Sequence, residues 1–189
     1  EDNSFSLSTI HTTDILPVDL NSLLYHLEVT LSKAYALSGD GALSEEYQIR
    51  SEKRREAIFK YFWDEEEDFF MDYNFKQGKS TSVLSLAGVY PLFFKIATPA
   101  QARQVYQKVE SVFFKPGGVV TTPYNTGQQW DAPNGWAPLQ WMTITALRNY
   151  EFDALANLIK ERWLKLNGDV YQRTYKMLEK YNVEDLSKE

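Results

Sequence analysis

The alternation of apolar and polar positions is helical along almost the whole chain. After "ILPVDLN", apolar side chains recur at Leu20, Leu23, Leu24, Leu27, Leu31, Ala34 and Tyr35. Steps of three and four place them on one stripe of a helix. Asp19 or Asn21 is a fitting N-cap, and Gly39 is a natural stop. A second helix is predicted from about Ser44 to Trp63, and its polar middle, "RSEKRRE", shows one face to water. "FFMDYN", residues 69–74, suits a short strand before a turn at Gly78. Val83, Leu86, Ala87 and Tyr90 are helical again, with Pro91 expected to kink or end the element. Pro99 opens a further helix as an N1 proline does. Its stripe is Ala102, Val105, Tyr106, Val109, Val112 and Phe113, and "KPGG" at Lys115 to Gly118 closes it. Three more helices follow, through Leu139, Met142, Ala146 and Leu147, through Leu155, Ile159, Trp163 and Leu166, and through Tyr171, Tyr175 and Leu178.

About seven helices with almost no strand make an all-α chain. Short turns between them imply helix hairpins, stacked as an array or wound into a ring. No internal repeat is visible, which argues against a regular solenoid. No linker divides residues 1–189, so a single domain is expected.

One stretch breaks the pattern. Gly117 to Pro138 is irregular, and loops of that length in a compact domain are functional or disordered. This one is too aromatic for disorder. Its end and the following turn read "GQQWDAPNGWAPLQWM", Gly127 to Met142, with three Trp, two Pro and two Gly. Pro133 and Pro138 fix backbone angles, and Gly135 permits an unusual one. Indoles offer flat apolar faces and one N–H donor each. Asp131, Asn134, Gln128, Gln129 and Gln140 add acceptors and donors. Apolar faces with a few placed polar groups suit a small polar ligand such as a sugar. The competing structural reading has Trp136 and Trp141 plugging the core while Asp131 caps the next turn.

Composition narrows the alternatives. Aromatics make up 15% of the 189 residues, enough for a bulky core or a stacking groove. The net charge is −6, and the strongest basic cluster, Lys53-Arg54-Arg55, sits among acids as a solvated helix face. Nucleic acid demands a positive stripe and is not expected as a partner. No apolar run approaches the roughly 18 residues that span a bilayer, so no membrane partner is expected either. The first residues, Glu1 to Ser4, are unlike a signal peptide. There is no cysteine and only two histidines, His11 and His26, which excludes thiolate metal sites and leaves no HExxH-type spacing. No metal or cofactor is expected. The acidic run Asp64 to Asp68 reads as a solvated helix end and turn, since crowded charges are not buried unpaired. Asp72, flanked by aromatics, is a weak candidate. Asp14 and Asp19 read as helix-orienting residues, and both histidines as structural ones.

"QWDAPNGWAPLQW" resembles a characteristic motif of the trehalases, a family of glycoside hydrolases. The pattern Q-W-D-x-P-x-G-W-x-P is met by Gln129, Trp130, Asp131, Pro133, Gly135, Trp136 and Pro138. Further blocks agree in order: "TTDILPVDLN" from Thr12, "PGG" at Pro116 and "EKYNV" from Glu179. The resemblance implies an (α/α)6 barrel, a ring of helix hairpins with the site at one end. It implies hydrolysis of α,α-trehalose to glucose with inversion, without a metal. Inverting glycosidases use an acid and a base carboxyl about 6.5–9.5 Å apart. The "SGWDFSSRW" type segment with the acid Asp, the "GGGGEY" block and the later base Glu are absent. The chain is therefore expected to be a middle piece of the catalytic domain, holding no catalytic residue and inactive alone. Substrate-binding roles fall on Gln129, Trp130, Asp131, Asn134 and Trp136.

The expected partners are the sugar itself, and either the missing segments of the same barrel or another copy of the chain. The alternatives are an (α/α) glycosidase acting on a related glucoside and a non-catalytic helical carbohydrate-binding module. The periplasm is slightly favoured over the cytoplasm.

Overall fold

The structure, a computed structural model, describes residues 10–188. The Glu1–Ser4 stretch lies outside the described residues. Among those described, six α-helices carry the fold: α1 (Val18–Ser38), α2 (Gly41–Tyr61), α3 (Tyr90–Phe93), α4 (Pro99–Lys108), α5 (Ala137–Arg148) and α6 (Asp153–Thr174). Nine strands of two or three residues decorate the connections between them.

Local chemistry sets the helix ends, sometimes otherwise than the sequence predicts. Neither Asp19 nor Asn21 caps α1. Pro17 takes the N-cap place with extended backbone, and the Val18 N–H donates to Asp72 Oδ1 at 2.9 Å, from 54 residues away. A cap supplied by tertiary contact leaves no mark in the local pattern. Gly39 stops α1 as expected, in the left-handed conformation at φ 87°. The second helix starts earlier than Ser44, because the Asp40 side chain accepts from Leu43 N–H at 3.1 Å. Pro91 opens α3 rather than ending a helix, lying in the first turn where its missing N–H is harmless. Before it, Leu86–Val89 is a 3-10 turn.

Pro99 opens α4 as predicted, behind a reciprocal capping box of Thr98 and Gln101. The turn of Val109–Phe113 that follows is a π-helix. The last two predicted helices are one. Helix α6 runs unbroken past Gly168, and Tyr175 terminates it in the left-handed region at φ 56°.

Helix α1 packs on α2 and α5 on α6, as hairpins, while α3 contacts both α1 and α5. Arg54 of α2 departs from the solvated face assigned to it. It turns into the α1–α2 contact, donating to both Glu28 oxygens at 2.7 and 2.9 Å and to Asn21 at 3.1 Å. The core runs continuously from Val18 and Ile58 through Phe69, Leu92 and Val105 to Leu155, Ile159 and Val183. His26 stacks on Phe94 at 4.8 Å, a structural use. One face of α1 stays uncovered: Leu20, Leu23 and Leu27 are each about half exposed, in helical register.

Two hairpins fill the α2–α3 connection. β2 (Trp63–Asp64) pairs β3 (Phe69–Phe70), and β4 (Tyr73–Asn74) lies between β1 (Ile15–Leu16) and β5 (Lys79–Ser80). The acidic run is the turn of the first hairpin rather than a helix end, with the Asp64 carboxylate accepting from the Glu66 and Glu67 N–H groups at 3.0 Å. "KPGG" likewise forms a hairpin, β6 (Phe114–Lys115) on β7 (Gly118–Val119). Last, β8 (Asn134–Trp136) pairs antiparallel with β9 (Lys180–Asn182).

Candidate functional site

The irregular segment from Gly117 to Pro138 is tied down along its length. At its start, the buried Gln140 side chain of α5 accepts from Val119 N–H at 2.9 Å and donates to the Val119 carbonyl at 2.6 Å. Leu86 N–H reaches the Thr121 carbonyl at 2.9 Å, and Ala132 N–H the Tyr124 carbonyl at 2.9 Å. The Tyr124 hydroxyl donates to the Ser82 carbonyl at 3.2 Å. At its end, β8 is held by β9, and Val183 N–H donates to the Pro133 carbonyl at 2.9 Å. The Ala132–Pro133 peptide is cis.

Gly135 and Gly118 are required by close packing. A Cβ on Gly135 would lie 2.6 Å from Val183 Cγ1 and 2.8 Å from Gln140 Nε2, and one on Gly118 2.5 Å from Gln140 Oε1. These are closer than carbon tolerates, so the two glycines let β7, β8 and α5 converge.

Within this frame the sequence-predicted residues meet. The indoles of Trp130 and Trp136 stack, with centroids 4.0 Å apart and planes 14° from parallel. Trp130 is 56% exposed and Trp136 only 6%, so an exposed platform rests on a buried support. The Trp136 Nε1–H is buried without a partner among the described residues. Asp131 accepts from the Thr122 hydroxyl at 2.8 Å and also from the Thr126 hydroxyl. Its carboxylate therefore braces the loop, and only its remaining lone pairs could meet a ligand. Asn134 Nδ2 donates to the Gln129 carbonyl at 3.1 Å. Gln129 is exposed beside them.

The competing reading, in which both Trp136 and Trp141 fill the core, holds only in part. Trp136 is buried, but Trp141 is 60% exposed and meets Phe93 edge-on at 5.1 Å. Its place on α5 turns it away from the core.

A pocket of about 250 Å³ opens against this loop, lined by Asn134, Leu178, Glu179 and Lys180. The sequence pattern assigns the last three no site role, and places Leu178 on a helix that in fact ends at Thr174. Their approach depends on β8–β9 pairing across more than forty residues of chain, which no local periodicity reports. The ordered block "EKYNV" was the one available signal. A larger cleft of about 590 Å³ lies elsewhere, between the hairpins, lined by Ile15, Asp64, Asn74, Lys79 and Thr81 among others. It holds none of the loop residues, but its lining includes Ser82, whose carbonyl accepts from the Tyr124 hydroxyl.

Asp72 is explained by structure. Burial raises its carboxyl above the ordinary 3.8, against the lowering effect of the Val18 N–H, and the Asp19 charge adds to the rise. It serves the α1 terminus rather than the loop. Among the described residues, no group of three or more His, Asp or Glu is placed to hold a metal, and no helix is long and apolar enough to cross a membrane.

Known proteins resemble this chain in sequence and in fold. The trehalase family model matches residues 1–189. A periplasmic trehalase of Salmonella paratyphi B is 42% identical over 182 residues, covering 96% of this chain and 32% of its own length. The chain thus spans about a third of the curated relatives it matches. Neutral trehalase from Saccharomyces cerevisiae superposes with a TM-score of 0.81 at 30% identity, over 90% of this chain and 34% of that one. A GH63 mannosylglycerate hydrolase of Thermus thermophilus shares the fold, with a TM-score of 0.72 at 24% identity over 91% of this chain and 41% of that one. The helix hairpins form part of an (α/α)6 barrel. With its whole length matched by one family model and its loop motif built into one structural unit, the chain belongs to the trehalase family.

Proposed function

We propose that the chain supplies the sugar-facing loop of a trehalase-type active site, which hydrolyses α,α-trehalose to glucose with inversion. The observation that carries this is the Trp130–Trp136 stack, one indole exposed above one buried, beside a small pocket edged with polar groups. A pyranose ring presents C–H faces to an indole and hydroxyls to its rim, and the loop offers both surfaces. Trp130 and Trp136 form the platform, Asn134 and Gln129 the polar edge, and Asp131 holds the loop closed while lending its outer lone pairs.

The acid and base carboxylates come from residues beyond these. Asp131, the one carboxylate of the loop, is engaged by the Thr122 and Thr126 hydroxyls, which supports assigning it no catalytic role. By itself it releases no glucose. As one domain, residues 1–189 join the remaining hairpins of the ring, and the uncovered Leu20, Leu23 and Leu27 face of α1 packs against them. The periplasm is the proposed compartment, following the names of the Salmonella relatives.

A segment exchange tests the proposal. The matched residues of this chain replace the corresponding part of the Salmonella periplasmic trehalase, and glucose release from trehalose is measured. The expected result is an active chimera that yields one α- and one β-glucose, with kcat/KM falling at least about tenfold on Trp130→Ala, the scale of losing a well-placed aromatic contact. A folded chimera that leaves trehalose intact, or one indifferent to Trp130, overturns it.

A further inference from the structure

We infer that Lys180 is a positioning residue that holds the Trp130–Trp136 platform in its stacked arrangement. Lys180 stands directly opposite Trp136 in the β8–β9 register. Directly opposed residues of an antiparallel pair project to the same face, with Cβ atoms about 4.5–5.5 Å apart. Accordingly its Nζ sits 5.6 Å from the Trp136 ring centroid, within the range of a cation–π contact. The same ammonium donates to Gln129 Oε1 at 3.5 Å. Among the described residues it has no carboxylate partner within salt-bridge distance, unlike Lys76, Lys108, Lys115, Lys165 and Lys188. Its charge is directed at the ring and the amide.

The consequence falls on Trp130. That indole is exposed on its outer side, so its place over Trp136 depends on its chain neighbours. On one side Asp131 is clamped by Thr122 and Thr126. On the other, Gln129 is held at its carbonyl by Asn134 and at its side chain by Lys180. Three of these four contacts come from the loop or its own strand. Lys180 alone comes from β9 and carries the orientation of β9 to the platform. Its effect on sugar binding rests on the function proposed above, but its effect on the indole pair does not.

Circular dichroism of the 189-residue chain separates the two. Stacked indoles couple their transitions and give a paired positive and negative band in the far ultraviolet. Trp130→Phe removes this couplet and identifies it. Lys180→Met is expected to lose most of it with helix content unchanged, and Lys180→Arg, which restores a cation over the ring, to keep it. A couplet in Lys180→Met equal to that of the parent overturns the inference. The KM for trehalose of the Salmonella chimera, in which the rest of the site is present, forms the second arm. Lys180→Met raises it about two- to fivefold, the scale of an exposed cation–π contact. Loss of the couplet with KM unchanged leaves the positioning role standing and the sugar platform refuted. A raised KM with an unchanged couplet does the reverse.

Discussion

The Gln140 side chain satisfies both main-chain groups of Val119, accepting from its N–H at 2.9 Å and donating to its carbonyl at 2.6 Å. An amide so placed acts as a short strand partner for β7 and fastens the start of the loop to α5. All three groups are buried. Gln140→Leu keeps the volume and leaves the Val119 N–H and carbonyl unpaired, each at the cost of a buried unsatisfied polar group. The expected loss is on the order of 3 kcal/mol, read as a shift in the midpoint of urea unfolding at constant slope.

Gly135 is the convergence point of β7, β8 and α5. Gly135→Ala places a methyl 2.6 Å from Val183 and 2.9 Å from the Val119 carbonyl. Overpacking of this kind costs about 1–3 kcal/mol. The strain falls on the β8–β9 pair, so amide exchange at Tyr181 and Val183 should accelerate more than in α2. Equal acceleration in both places would show a global effect only.

Asp72 links stability to acid. Its carboxyl is raised in the folded chain, first by burial. The folded state therefore binds a proton at pH values where the unfolded state has released it, and the window lies above 3.8. Stability from this group is greatest below that window and declines as pH rises through it. Asp72→Asn, uncharged and still able to accept from Val18, removes the decline. Its advantage over the parent should be largest at neutral pH and fade in acid. Asp72→Ala loses the cap and should be less stable than Asp72→Asn by about 1–2 kcal/mol. Thermal unfolding across the acid range checks both.

Tyr150 does the corresponding thing in alkali. Burial pushes its phenol from 10.0 up to about 12 against the opposing Arg55 charge, and its hydroxyl donates to the Ala97 carbonyl at 2.8 Å. Between those values the unfolded chain loses this proton while the folded chain keeps it, so stability falls as pH rises. Tyr150→Phe should flatten that limb and cost about 1 kcal/mol at neutral pH from the lost hydrogen bond. An unchanged alkaline limb would contradict the assignment.

How much of this was legible beforehand follows from range of interaction. Gly39, Pro99 and the stripes of α1 and α4 act within one or two helical turns, and the sequence shows them plainly. The loop is legible as a loop, and its Trp130, Asp131, Asn134 and Trp136 do come together. What escapes is set by distant partners. Asp72 caps α1 across 54 residues, and Arg54 leaves its polar face to meet Glu28 on a neighbouring helix. Lys180 reaches Trp136 only because β9 folds back on β8. The stripes through Leu166 and from Tyr171 read as two helices, but a single α6 passes through Gly168, where a side chain would meet open space. Trp141 resembles a core plug by type and position, and its face on α5 decides otherwise.

A loop that faces a sugar should report it through the indole N–H signals of the five tryptophans, followed in a heteronuclear correlation spectrum as trehalose is added. Saturable shifts are expected at Trp130 and Trp136, with the Trp136 N–H gaining an acceptor, while Trp63 and Trp163 stay in place. Shifts absent from Trp130 and Trp136 at saturating sugar, or confined to the other tryptophans, would contradict a sugar-facing loop.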